Sequence, residues 1–465
     1  MGDQGRPIAI DLFSGAGGLS LGFERAGFDV LAAVEYDPVH AAVHRYNFPL
    51  TELLCADVRI VSADDVIAAA HRGWELHHPE GPRWNGRIDA VIGGPSCQGF
   101  SVIGNMSHDD ERNDLVVHFA RLVTELQPET FCMENVPGLL HPKYEALRAN
   151  VLGRLEGAGY RIAGADRVVR AEDFGVPQRR HRVIMIGTKA PVNAPFLAPT
   201  TIEETTVGDA FAGLEGIADA PVSPLGELRL TTEQLETLDA VENEYSRLAG
   251  LREERPGAYG HPRRVDRSVL SGLGLTRHSE SSIRRFDETP PGTKEKVSRY
   301  FRLALDRASL TLRAGTGRER GSFSAPRPIH PIEPRVITVR EAARLHSFPD
   351  WFRFHVTNWH AHRQIGNSVP PLLAEAAGAA VMTALGRVPK VSDREPVALG
   401  PEALLSLSVS RATTVLGASA DHVPAARVRR AASPGPLSTD VPIADEMGLA
   451  KPLDDRRLHL RRSPR

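Results

Sequence analysis

The chain has 465 residues, 41% of them hydrophobic and 25% charged, with a formal net charge of −2; that is enough apolar material for more than one core, and the overall charge marks no polyanionic partner. No run approaches the roughly 18 apolar residues needed to cross a bilayer, and the start MGDQGRPIAIDLF lacks the basic-then-apolar order of a secretory signal, so a cytoplasmic protein without membrane contact is expected. Cys55, Cys97 and Cys132 form no CxxC pair and no zinc-spaced Cys/His set, which argues against a disulfide framework and against a metal site.

From residue 7 to about 188, short apolar runs alternate with helical patterns. IAIDLF, VLAAVEYD, ELLCADV, IDAVIGG, TFCMEN and RVIMIGT read as strands, and GLSLGFERAG, VHAAVHRYN, DLVVHFARLVTELQP and YEALRANVLGRLEGAG carry the 3.6-residue spacing of helices. Alternating β and α elements predict an α/β fold with a doubly wound, mostly parallel sheet. In such sheets ligands gather outside the carboxyl ends of the strands, so the loops that follow them are where chemistry is expected.

The first strand runs into DLFSGAGGLSLGF, where Gly15, Gly17 and Gly18 allow a tight turn and close approach of a ligand to a helix N-terminus. A purely structural turn uses glycines in the same way. Glu35, ending the second strand, can accept both hydroxyls of a ribose, and Tyr36 offers a flat face for an adenine. Asp57, in CADV, suits an exocyclic amine or caps a turn. An acidic residue about 20 positions beyond the glycines also suits a nicotinamide enzyme. The spacing is not GxGxxG, however, and hydride transfer has no use for Cys97, so an adenosine-bearing cofactor without a phosphate chain fits better.

Cys97 follows the strand DAVIGG within GGPSCQGFS, at the same sheet edge as the glycine turn. Its neighbours Pro95, Gln98, Gly99 and Ser101 are turn and polar residues, whereas Cys55 and Cys132 sit in apolar runs. Cys97 is therefore the candidate nucleophile and the other two read as inert. Glu134 and Asn135 end the next strand, where a carboxylate reaches the same crevice or serves as a cap or ion-pair partner. In QRRHRVIMIG, alternation sends Arg180 and Arg182 to one face.

Residues 190–330 lose the α/β rhythm and read as a second, less regular lobe. Residues 201–250 hold two Arg against eleven Asp/Glu, and 251–340 hold nineteen Lys/Arg against ten Asp/Glu. The second balance has the sign of a phosphate-binding face or of a solvated one. Order returns at VITVREAARLHSFPDWF and continues through QIGNSVPPLLAEAAGAAVMTALG, whose small-residue helix is expected to pack back on the first domain. Beyond Trp359 there is no aromatic residue, and from about 390 the Pro, Ser, Ala and Arg composition predicts disorder.

The ordered set DLFSGAGGLSLGF, GGPSCQGFS, MENVPG, QRRHRVIMIG, REAARLHSFPD and QIGNSVP, spread over residues 7 to 388, resembles the bacterial DNA cytosine-5 methyltransferase family. That resemblance implies a Rossmann-like methyltransferase sheet that binds S-adenosylmethionine and acts on double-stranded DNA. Cys97 would be the thiolate that adds to cytosine C6. Glu134 would be the partner of N3, held protonated by burial or gaining its proton as charge develops. Arg182 would lie on the O2 side and Arg180 would balance charge near the ring. Phe13, Gly15, Gly17, Glu35, Tyr36, Asp57 and Asn367 would hold the cofactor, with Gln98, Ser101 and Asn135 beside the substrate. Thr311 and Leu312 resemble a Thr-Leu pair of the family's recognition domain, and Arg313 would contact DNA there.

The resemblance implies a catalytic domain at 1–189, a target-recognition domain at 190–332 and a returning segment at 333–388, followed by a disordered tail at 389–465. A nucleoid-associated monomer is expected, with or without a restriction endonuclease of the same site as partner. Ser96 stands where the family most often has proline, and the tail lies outside the family pattern. The alternatives are an enzyme of the same fold acting on transfer RNA and a DNA-binding protein without catalysis; the size of the lobe favours duplex DNA, and the complete set of reactive residues favours catalysis.

Overall fold

The computed structural model describes residues 5–95, 114–189, 197–200, 203–217, 222–223, 225–253, 255, 258–315 and 327–418. The first half of the chain alternates as expected: β1 (Ile8–Leu12), α1 (Gly18–Arg25), β2 (Asp29–Glu35), α2 (Pro38–Asn47), β3 (Glu52–Cys55), α3 (Ala63–His77), β4 (Ala90–Gly93), α4 (Asp114–Leu126), β5 (Thr130–Asn135) and α5 (Glu145–Gly157). There follow β6 (Arg161–Ala163), β7 (Val169–Arg170), β8 (Gln178–Arg179) and β9 (His181–Thr188). The main sheet has the order β3-β2-β1-β4-β5-β9-β6, with β7 also on β9; β3 to β5 are parallel and β9 runs antiparallel to β5.

Alternation along β1 divides the core. Ala9 faces one apolar layer with Phe23, Phe28 and the C-terminal helices, while Ile8, Ile10 and Leu12 face another with Val66, Phe119 and Leu155. Both faces are thus covered, as a parallel sheet requires. The chain leaves β1 towards β2 and β3, then returns to its other side as β4. The crevice above β1 and β4 is therefore the topological switch point where such sheets bind ligands. The sequence reading missed α3, although Ser62 and Asp65 cap it reciprocally.

The middle region carries α6 (Val207–Phe211), β10 (Glu227–Arg229), α7 (Thr232–Asp239), α8 (Glu244–Ala249), β11 (Arg263–Arg264), β12 (Val269–Ser271), α9 (Glu280–Asp287) and β13 (Ser309–Leu310). Its apolar clusters are small: Leu214, Leu228, Leu238 and Leu270 form one, Phe286, Ile329 and Val336 another. Arginine does much of the internal joining. Buried Arg302 donates to the carbonyls of Phe286, Asp287, Thr289, Pro331 and Ile332, and Arg335 makes a paired contact with Glu341. The positive balance of this segment is therefore partly consumed inside the fold.

The chain returns through α10 (Val339–Leu345), α11 (Asn358–Asn367) and α12 (Pro371–Ala384). As anticipated, α12 packs closely on α1. A Cβ on Gly22 would come 2.3 Å from that of Ala374, and one on Gly378 would come 2.6 Å from that of Ala26.

Disorder from 389 onward does not hold for the next thirty residues. β14 (Val397–Ala398) pairs with β11, a short 3-10 turn spans Glu402–Ser406, and α13 (Val409–Val415) lies on α2. Aliphatic residues replace the missing aromatics, with Leu404, Leu405, Leu407 and Val415 buried. Residues 419–465 of the expected tail lie outside the described residues. A buried knot reinforces this strap: Asp29 accepts from Arg6 at 2.6 Å and lies 3.0 Å from His261 Nε2, whose Nδ1 meets Ser392 Oγ at 2.7 Å. With His77 these groups have the spacing of metal ligands, but the Arg6 guanidinium already neutralises the carboxylate. Among the described residues no helix is long and apolar enough to cross a membrane.

Candidate active site

A cavity of about 440 Å³ opens at the switch point. Its floor is the β1–α1 turn. Phe13 is held at φ 64°, a left-handed conformation that costs a non-glycine residue about 1 kcal/mol or more and tends to persist where surrounding structure demands it. Gly17, the N-cap of α1, has φ 106°, and a Cβ there would stand 2.2 Å from the Phe48 ring. A Cβ on Gly18 would stand 2.3 Å from the Val369 carbonyl oxygen, so this glycine lets the turn after α11 close over the start of α1.

Glu35 projects from the end of β2 into the cavity. One carboxylate oxygen accepts from Gly15 N and the other from Asp37 N, each at 2.8 Å. Burial pushes its pKa up to about 7, with the nearby Asp37 adding to the rise. Tyr36 leaves its side chain 38% exposed beside it. Asp57, beyond β3, accepts from Arg59 N at 2.9 Å through one oxygen and from the Arg59 guanidinium at 2.7 and 2.9 Å through the other. Phe13, Gly15, Glu35, Tyr36, Asp57 and Asn367 all line the cavity. Gly17 lies beneath, shaping the turn.

The opposite wall is built from β4, β5 and β9. Glu134, near the end of β5, pairs with Arg182 Nε at 2.6 Å, and each side chain is 11% exposed. A Cβ on Gly94 would lie 3.1 Å from Glu134 Oε2, so the segment leading to Pro95 passes directly over this carboxylate. Asn135 lies beneath the rim: its amide donates to Pro95 O at 3.3 Å and its oxygen accepts from Val136 N at 2.9 Å. Cys97, Gln98 and Ser101 lie outside the described residues. Pro95, which lines the cavity, is two positions before Cys97. Cys55 and Cys132 are buried, and burial pushes both thiols up, the behaviour of inert core cysteines.

Arg180 and Arg182 both line the cavity, while His181 between them turns outward towards Glu172. Arg180 is 1% exposed and joins separate parts of the chain, donating to Leu312 O at 3.1 Å and to Gly366 O and Ser368 O at 2.9 Å each. The segment around Leu312 is thereby fixed to the cavity. β13 pairs with β8, Thr311 Oγ1 donates to Arg179 O at 2.6 Å, and Leu312 N donates to Gln178 Oε1 at 3.0 Å. Thr311 and Leu312 thus serve this junction, whereas Arg313 is exposed. The sequence reading overlooked Arg59, Asp37, His40 and Arg363, all of which line the cavity. Arg363 carried a usable signal, since it precedes Asn367 by one helical turn.

A family model for C-5 cytosine-specific DNA methylase matches residues 8–383. The chain is 45% identical over 438 residues to the type II methyltransferase M.XorII of Xanthomonas oryzae pv. oryzae, covering 93% of this chain and 97% of that one. It is 35% identical over 379 residues to the type II methyltransferase M1.HphI of Haemophilus parahaemolyticus, covering 80% and 86%. Among solved structures, it is similar to one described as a DNA modification methyltransferase encoded within a prophage (E. coli), with a TM-score of 0.64 and 37% identity over 82% of this chain and 100% of that one.

Proposed function

The chain belongs to the C-5 cytosine-specific DNA methylase family and is a DNA (cytosine-5-)-methyltransferase; from that premise we propose that it methylates a cytosine turned out of duplex DNA through a transient bond between Cys97 and C6. The observation that carries this reading is the Glu134–Arg182 pair beneath Gly94 and Pro95, in one cavity with Glu35. An acid and a cation stand beneath Gly94 and Pro95, which is two positions before Cys97 in sequence, and Glu35, the proposed ribose acceptor, lines the same cavity.

Carbon 5 of cytosine is a poor nucleophile. Addition of the Cys97 thiolate to C6, with a proton or strong hydrogen bond supplied at N3 by Glu134, converts the ring into an enamine whose C5 can attack. Bound S-adenosylmethionine supplies an electrophilic methyl on a sulfonium. Transfer of that methyl to C5 would break its bond to sulfur and release S-adenosylhomocysteine; loss of the C5 proton to a base and cleavage of the S–C6 bond would then restore the ring and the thiolate. Arg182 orients Glu134 and faces the O2 side of the ring, with Gln98, Ser101 and Asn135 assigned to the substrate. Phe13, Gly15, Gly17, Glu35, Tyr36, Asp57 and Asn367 would hold the cofactor. Its fit rests on the half-exposed Tyr36 face, the carboxylate of Glu35 and the volume between them.

A stacked cytosine hides both ring faces, so flipping it costs roughly a few kcal/mol, and phosphate contacts must hold the opened duplex. We assign that work, and the reading of the target sequence, to the lobe at 190–332, with exposed Arg313 at its junction with the cavity. The type II names of the relatives support a place in bacterial restriction-modification beside an endonuclease of the same site, and hence on cytoplasmic DNA. The test is transfer of labelled methyl from S-adenosylmethionine to duplex DNA in competition with transfer RNA. Cys97→Ser should bind S-adenosylhomocysteine and lose turnover; unchanged turnover refutes the nucleophile, and preference for transfer RNA refutes the substrate.

A further inference from the structure

Among the described residues four arginines line the cavity, and three of them are committed. Arg59 is held by both oxygens of Asp57, Arg180 by three backbone carbonyls and Arg182 by Glu134. Arg363 differs. It stands on α11 with its guanidinium 5.3 Å from the centre of the Trp359 ring, and it has no hydrogen bond or ion pair with any described residue. A cation placed over a ring face does not use its N–H donors in that contact.

The nearest acids are satisfied elsewhere. Asp37 accepts from Val39 N and His40 N, and both Glu35 oxygens accept from backbone N–H groups. A half-buried cation thus lines the cavity with no hydrogen bond or ion pair to a described residue, its charge acting on Glu35 and Asp37 only through space. Arg363 precedes Asn367 by four residues, so both project from one face of α11.

We propose that Arg363 is the counter-charge for the carboxylate on the amino-acid end of the cofactor. This rests on the methyltransferase reading above. S-adenosylmethionine carries two cationic groups and one anionic group, and the α-carboxylate is the anion. With adenine directed to Tyr36 and Asp57 and the ribose to Glu35, the amino-acid end falls to another part of the lining, and Gly15, Gly18 and the α11 end with Arg363 and Asn367 form one such wall. A guanidinium recognises a carboxylate through paired, charge-assisted hydrogen bonds.

The experiment measures, by calorimetry on the full chain, the affinities of S-adenosylhomocysteine and of its decarboxylated counterpart S-adenosyl-3-thiopropylamine. The native protein should prefer the carboxylate-bearing probe by about tenfold or more, the size of one charge-assisted contact. Arg363→Met should reduce that preference to within about twofold, and Arg363→Lys should restore part of it. The ratio of two affinities for one variant does not depend on how much of the sample is folded, and Arg363→Gln provides a second planar replacement. Retention of the full preference in both neutral variants overturns the proposal, as does equal weakening of both probes. A native protein that binds neither probe overturns the methyltransferase reading itself.

Discussion

Replacing Arg180 with methionine removes the cation that joins the segment at Leu312, the segment at Gly366 to Ser368 and the cavity wall. The side chain is 1% exposed and gives hydrogen bonds to Leu312 O, Gly366 O and Ser368 O at 2.9 to 3.1 Å. Methionine keeps much of the apolar volume but leaves three buried carbonyls without those donors. Bonds from a charged donor contribute about 1.5–3 kcal/mol each, which bounds the loss at roughly 4–9 kcal/mol. Relief from burying a charge offsets part of it, so a net destabilisation of about 3–5 kcal/mol is expected. Asn367 sits between two of the clasped carbonyls, so affinity for S-adenosylhomocysteine should also fall at least about tenfold. Arg180→Lys, able to satisfy fewer acceptors, should lie between the two. Urea denaturation followed by circular dichroism reads the first effect and calorimetry the second. A stability loss below about 1 kcal/mol with unchanged affinity would refute the view that Arg180 clasps these segments.

Three further outcomes are expected. Glu35 is raised from 4.5 to about 7 by burial, so folding takes up a proton between those values and this group's contribution to stability falls as pH rises through that window. A ribose donating to the ionised carboxylate works in the opposite sense: affinity for S-adenosylhomocysteine should rise towards pH 7, and Glu35→Gln should flatten the profile, whereas an unchanged profile rejects the assignment. Gly18→Ala forces a Cβ to 2.3 Å from Val369 O; a loss of about 1–3 kcal/mol and weakened ligand binding should appear in thermal shift and calorimetry, and wild-type behaviour in both contradicts the close approach. Exchanging residues 190–332 for the corresponding lobe of a relative should move the methylated sequence, read by bisulfite sequencing; an unmoved site removes the lobe's recognition role.

The α/β order was legible because each strand from β1 to β5 is a short apolar run, followed in every case but β3 by a helix legible from its period, and because Gly15, Gly17 and Gly18 mark the first turn. The short strands β6 and β7 escaped because two or three residues carry no period. Glu134 and Arg182 were legible as candidates from their strand positions, yet their mutual pairing required the antiparallel register of β5 and β9. Charge counting overstated the exposed positive face: Arg302, Arg335 and Arg340 are nearly buried and bond to carbonyls, a hydroxyl or Glu341, which composition cannot distinguish from surface arginines. Aromatic scarcity misled for residues 397–418, since Leu404, Leu405 and Leu407 are buried without any aromatic partner of the same segment. Arg363 was overlooked although it lies one helical turn before Asn367; what separates it from the other cavity arginines, the lack of a hydrogen bond or ion pair with a described residue, is visible only in the geometry.

The central claim is a sulfur–carbon bond between Cys97 and the cytosine ring. A duplex containing the target site with 5-fluorocytosine in place of the cytosine blocks release, since fluorine cannot leave as a proton does. Incubated with S-adenosylmethionine, the full chain should form a denaturant-resistant complex whose cross-linked peptide contains Cys97, and Cys97→Ser should form none. A trapped complex through another residue, or no complex from folded protein that binds both ligands, would contradict the account.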